Sequence, residues 1–336
     1  MDITETVIPQ GELFSPPDVD EARTFFSQKS RAMTDKRMTV SNAVSRFVHD
    51  GDYVASGGFG STRIATAVFH EIVRQRKQGL GFSGHTATHD FQIMAAGRCF
   101  DRCDVAYIVG LELRGLSPNA RRYMESGKVR VTEWSNATLG WRYKAAAMGV
   151  PYLPVRSLLG TDVFKFSAAK EIVCPFTGQK LAAVPALFPD VGIIHVHRAD
   201  VYGNAQVDGI SVADYDLARA SKRLIITTER LVCTDEIRRA PCQTLVPYWL
   251  VDAVCHVPYG SYPGNMPYEY FSDEEHLTEW LEAEKDTATL EAFVAKYIFG
   301  AQDFEEYLAL KGGEKRMAEL RALEPLRRRG CCRGEP

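Results

Sequence analysis

The chain has 336 residues, 45% of them hydrophobic, which suffices for a large buried core and excludes wholesale disorder. Its 40 basic and 43 acidic residues leave a formal charge of −3, so no global positive field exists to hold nucleic acid or an anionic membrane. No run of about 18 apolar residues occurs, and the acidic start MDITETVIPQGELF is unlike a secretory signal, so a cytoplasmic protein is expected.

Residues 1–36 mix Pro16 and Pro17 with acids and polar residues without a sustained period, which predicts an N-terminal arm wrapping the surface or a neighbour. From Val40 onward strand, Gly-rich turn and helix alternate, the pattern of a mainly parallel sheet covered by helices. Residues 53–56 read as a strand and Gly57-Gly58-Phe59-Gly60 as the turn after it. Residues 62–78 read as a helix carrying Ile64, Val68 and Ile72 on one face, stopped by Gly79. Further strands are expected at 80–83, 105–109, 129–131, 191–196 and 224–228. Ser117 and Pro118 start a helix over 119–126, because Ser caps and Pro has no N–H to leave unpaired. Helices at 290–298 and 304–310 close the domain, and KGGEKR opens a charged tail over 311–336. With no Pro/Gly/Ser linker inside it, 37–310 reads as one α/β domain, and the polar stretch 161–180 is its candidate insertion.

Eight scattered cysteines read as reduced thiols, mostly small buried hydrophobes. Cys331 and Cys332, in the basic RRRGCCRGEP, read as an accidental exposed pair. His85, His89, Cys99 and Cys103 have the residue types of a zinc site, but their order and spacing fit no common finger and no metal is expected. Trp134, Trp141, Trp249 and Trp280 read as core or interface aromatics.

In open α/β sheets ligands gather beyond the strand C-termini, and the candidate site residues lie there. The turn Gly57-Gly58-Phe59-Gly60 lets bare backbone approach a ligand, and Arg63 follows as an anion partner; the alternative is a plain tight connection. Ser83 and His85 follow another strand and are expected to face the ligand. A dinucleotide site is excluded because Arg63 stands where a third Gly or Ala is needed, and a P-loop because no Gly-Lys pair precedes Ser61-Thr62. Glu112 and Glu229 stand at expected strand ends as nucleophile or base candidates, against the bland reading of solvated or ion-paired carboxylates. His195 and His197 alternate onto one face of a strand, where they could bind a metal or shuttle a proton, but a structural or interface role is expected. The rigid PYGSYPG loop, 258–264, reads as neighbouring the site.

DGDYVASGGF (50–59) is similar to the first signature of the class I coenzyme A transferases. FPDVGIIHVHRADVYGNAQVDG (188–209), DEIRRAP (235–241) and VDAVCHVPYGSYPG (251–264) resemble, in the same order, segments of the glutaconate CoA-transferase alpha subunits. Where the signature continues toward Gly and Pro, this chain has Arg63 and Ala65. The resemblance implies an α/β fold with an open, mainly parallel sheet and flanking helices, of the NagB/RpiA/CoA transferase-like type. It implies transfer of CoA between an acyl-CoA and a carboxylic acid through a glutamyl-CoA thioester, with CoA as substrate and neither ATP, metal nor other cofactor. The family's Ser-Glu-Asn-Gly, which carries that glutamate, does not occur here, so a beta-type partner is expected to supply it. Alternatives are one chain of an acyl-CoA ring-opening hydrolase of the same family, or a non-catalytic acyl-CoA-binding chain.

Overall fold

The computed structural model describes residues 9–108 and 115–326. Its first half supplies β1 (Tyr53–Ser56), β2 (Leu80–Gly84), β3 (Phe100–Val105) and β4 (Arg130–Glu133). β5 (Tyr152–Val155), β6 (Lys170–Val173) and β7 (Lys180–Pro185) follow. β8 (Val191–Ala199), β9 (Ala205–Gln206), β10 (Arg223–Leu231), β11 (Thr244–Val246) and β12 (Ala253–His256) complete the set. The main sheet runs β4-β3-β2-β1-β8-β10-β12, every neighbouring pair parallel, while β9 and β11 extend the end of β8 in antiparallel fashion. β5, β7 and β6 form a small antiparallel sheet, which is what part of the polar stretch 161–180 becomes.

Central strands covered on both faces are mainly apolar, and β1 and β8 are buried along their whole length, with His195, His197 and Arg198 of β8 as buried polar exceptions. Side chains alternate between two cores. Val54, Ile193 and Ile225 join one, with Ile72, Ile93, Phe304 and Met317 from helices on that side. Tyr53, Ala55, Ile194 and Ile226 join the other, with Leu139 and Leu217 from the opposite helices. The chain winds outward from β1 to β4, then returns to β8 and winds the other way, so the order reverses between β1 and β8. A crevice opens at such a reversal, beyond the strand C-termini.

Several boundaries differ from expectation. The first helix after β1 spans Thr66–Arg74, not 62–78. Phe59 and Thr62 bond each other's backbone in both directions and Arg63 has φ 57, so the chain turns before the helix begins. β3 precedes the expected strand at 105–109, because Asp101, Arg102 and Asp104 disguise it. The buried Asp104 is accommodated by Tyr53 Oη at 2.5 Å, Trp134 Nε1 at 2.6 Å and Arg142 Nη1 at 2.5 Å. The N-terminal arm contains a helix, Val19–Gln28, capped by Asp18. Beyond it Lys29 Nζ reaches Asp252 Oδ2 at 2.6 Å, and residues 36–38 lie along β12, shielding that sheet edge. Within the expected charged tail, Gly313–Leu323 is a helix that buries Met317 and Leu320 and ties Arg316 to Asp273 at 2.7 Å. Cys331 and Cys332 lie outside the described residues. Among those described, no helix is long and apolar enough to cross a membrane.

The helix start predicted at Ser117-Pro118 is present, with Ser117 Oγ accepting from Ala120 N. Ser117 also donates to the buried Glu284 at 2.5 Å, and Trp280 Nε1 donates to the other oxygen at 2.8 Å. Burial outweighs these bonds and pushes the Glu284 carboxyl up to about 7. The folded form therefore holds a proton that the unfolded chain releases; this stabilisation is complete below about pH 4 and is lost as pH rises through about 7. Glu284→Gln mimics the protonated acid. Its melting temperature relative to wild type is expected to improve between about pH 5 and about pH 8, whereas an unchanged difference would contradict the assignment.

Candidate active site

The bend Gly57–Gly60 closes β1 at the point of reversal. Gly58 has φ +86, and a Cβ there would stand 2.7 Å from the Thr62 carbonyl oxygen, so only glycine fits. The bend's own N–H groups are all engaged within the protein. Gly57 N donates to Ile193 O, Gly58 N to Asp214 Oδ1 at 2.8 Å, Phe59 N to Thr62 O and Gly60 N to Thr86 O. Thr88 Oγ1 also donates to Gly60 O, locking the bend to the loop after β2.

Arg63 departs most from expectation. Its side chain is 0% exposed and Nη2 lies 2.6 Å from Asp214 Oδ2, also 0% exposed. Nη2 also donates to Ile210 O at 2.7 Å. Its charge is matched inside the protein, and it props the bend from beneath instead of meeting a ligand anion. Ser83 is likewise buried, bonded to Tyr143 Oη at 2.7 Å. Phe59 is 36% exposed at the crest, and half-buried His85 packs beside it with ring centroids 5.9 Å apart. Burial lowers the His85 pKa, favouring a neutral imidazole that can donate or accept one hydrogen bond.

Glu229 lies at the end of β10 but faces inward, 8% exposed. Oε1 meets His195 Nε2 and Tyr270 Oη, each at 2.7 Å, and Oε2 accepts from Tyr259 N at 2.7 Å. His195 Nδ1 in turn meets Thr227 Oγ1 at 2.8 Å. This network pins the loop 258–264 over the strand ends. His197 is buried too, its Nε2 on Pro267 O at 2.8 Å, and burial pushes its pKa down to about 4. Glu112 lies outside the described residues. Cys99 and Cys103 are buried thiols, and among the described residues no three His, Cys, Asp or Glu side chains converge as metal ligands.

Three contributors escaped the sequence reading. Asp214 holds both Arg63 and Gly58 from the first turn of Asp214–Ala220. Asn265 O receives Arg63 N, and Asn265 Oδ1 accepts from Thr62 Oγ1 at 2.8 Å. Asp90 is buried behind the bend, and burial raises its pKa to about 6 against a hydrogen bond from Ser56. Only the position of Asp90 just after the β2 loop signals its place; Asp214 and Asn265 carry no local mark.

A parallel sheet with its crevice at the reversal point, floored by a self-bonded Gly-Gly-Phe bend, defines an α/β protein of ligand-binding type. Residues 37–256 match the family model described as Coenzyme A transferase, and the chain belongs to that family. It is 36% identical to the A-type chain of the 3-oxoadipate CoA-transferase of Pseudomonas knackmussii, over 81% of this chain and 96% of that one. It is 31% identical to the corresponding A-type chain of the glutaconate CoA-transferase of Acidaminococcus fermentans, over 87% and 96% of the two chains. The crystal structure of that glutaconate enzyme superposes with a TM-score of 0.81, covering 85% of this chain and 95% of the other. A cholesterol ring-cleaving hydrolase IpdA subunit of Rhodococcus jostii is 27% identical over 80% of this chain and 94% of its own.

Proposed function

We propose that the chain is the A-type half of a heteromeric coenzyme A transferase, moving CoA between an acyl-CoA and a carboxylic acid, with the attacking glutamate on a B-type partner. The state of the carboxylates around the crevice carries this reading. Glu229 is enclosed by three donors, Asp214 by Arg63 and Gly58, and Asp90 is buried. A nucleophilic carboxylate must be open to the thioester carbon, and among the described residues of the crevice none of these is. Exposed apolar side chains beside the bend, Phe59, Ile210 and Tyr215, suit a surface that a second polypeptide covers.

The exchange turns one thioester into another, so its overall free-energy change is small and the protein's task is to lower barriers. On this reading the partner's glutamate attacks the acyl carbonyl, CoA leaves as thiolate and then attacks the resulting anhydride, releasing the first acid and forming the enzyme thioester. The second acid reverses these steps. CoA is the substrate, and the sequence of steps calls for no metal, nucleotide or redox cofactor. This chain contributes the shaped floor, with Phe59 and His85 at the crest to exclude water and orient the thioester.

The test is co-expression with the partner, incubation with acyl-CoA, borohydride reduction and mass spectrometry of the adduct. A reduced glutamyl residue is expected on the partner; an adduct on Glu229 would overturn the divided site. Turnover that continues without any acceptor acid would assign the assembly to hydrolysis instead.

A further inference from the structure

Beside the crevice, on the β8–β10 side, lies a cavity of about 690 Å3 that the steps above leave unused. Arg198 from β8, Arg230 from β10, Arg239 from the helix Thr234–Arg239, and Tyr268 contribute to its walls. Arg198 is fully engaged: it holds Asp208 at 2.7 and 3.0 Å and Gln206 at 2.8 Å. Arg230 is not. Its Nε is buried without a hydrogen-bond partner and makes only a long ion pair, 3.7 Å, to the Glu269 carboxylate. Arg239 is exposed and makes no ion pair among the described residues. Glu236 and Asp208 are the carboxylates of the same wall; Asp208 is held by Arg198 and Glu269 is paired only distantly with Arg230, which leaves Arg239 as the guanidinium without an ion partner among the described residues.

A single loop separates this cavity from the bend. Asp208 and Gly209 line the cavity, and the next residue, Ile210, accepts the Arg63 hydrogen bond beneath the bend. The loop 208–210 thus borders both the cavity and the bend. A planar guanidinium with open donors matches the paired oxygens of a carboxylate or phosphate.

We propose that this cleft is an anion subsite, in which Arg230 and Arg239 take a carboxylate or phosphate remote from the reacting carbonyl. The inference rests on the transferase reading for its substrate. The anion is either the distal carboxylate of a dicarboxylic acyl group or a phosphate of CoA, and binding energy gained there offsets the cost of positioning and desolvating the reacting centre.

Calorimetric titration of the full-length chain in its native assembly tests this with glutarate, butyrate and adenosine 3′,5′-bisphosphate as probes. Arg230→Gln/Arg239→Gln is expected to weaken the bound anion by about tenfold or more, with a melting temperature near that of wild type. Loss of glutarate with butyrate indifferent identifies a carboxylate subsite, and loss of the bisphosphate identifies the CoA phosphates. Arg230→Lys/Arg239→Lys, which keeps charge without the fork, should fall between. Equal affinity of wild type and the glutamine variant for every probe, or no binding to wild type, overturns the subsite. Because no turnover is measured, that outcome leaves the borohydride result to decide the transferase reading separately.

Discussion

Glu229→Ala is expected to lower unfolding free energy by about 3–5 kcal/mol, measured by urea denaturation at neutral pH. The carboxylate accepts from His195, Tyr270 and the Tyr259 backbone in a site 8% exposed, and alanine leaves all three donors buried without an acceptor. The loop 258–264 then loses its anchor to β10. Glu229→Gln should cost less but not nothing, since its amide nitrogen would confront one of those donors. Were Glu229 the nucleophile, the alanine variant would keep wild-type stability and lose turnover outright. That pattern would reverse the assignment made above.

The second large effect is expected at Arg63 and Asp214. Arg63→Met strands a carboxylate that is 0% exposed, and about 3–5 kcal/mol of stability should be lost. Adding Asp214→Asn removes the second charge while retaining an oxygen for Gly58 N, so the double variant should regain at least about 2 kcal/mol relative to Arg63→Met alone. A double-mutant cycle measured by thermal unfolding gives the coupling directly. Additive losses would mean that the pair does not act as a unit. An anion-binding Arg63 would instead show a raised KM for the charged substrate with stability intact.

The sheet was legible because its strands are short apolar runs bounded by breakers. VGIIHV and LIITT read as strands on composition alone, and the structure extends both, to Val191–Ala199 and Arg223–Leu231. The bend was legible as well, since three glycines around Phe59 after a strand leave few alternatives. Arg63 was misread because its partner lies on a helix 151 residues further along, and nothing local marks Asp214 as a buried counter-ion. β3 was displaced because its charged residues resemble a loop until Arg142, Trp134 and Tyr53 close around Asp104. The final helix is hidden in the sequence because Gly312 and Gly313 at its start, with φ of +103 and +56, punctuate the chain as a terminus would. Each failure involves a charge or a glycine whose meaning depends on residues distant in sequence.

The placement of β1 bears on how the chain is made. Its β2 flank is matched within about 30 residues, Tyr53 with Gly81, but its other flank waits for β8, Val54 with Val191. During synthesis the emerging polypeptide thus holds an apolar ribbon with one side bare until that later segment leaves the ribosome. Over this interval the nascent protein is most open to mispairing and to capture by chaperones, and pairings so remote in the chain also slow refolding from denaturant.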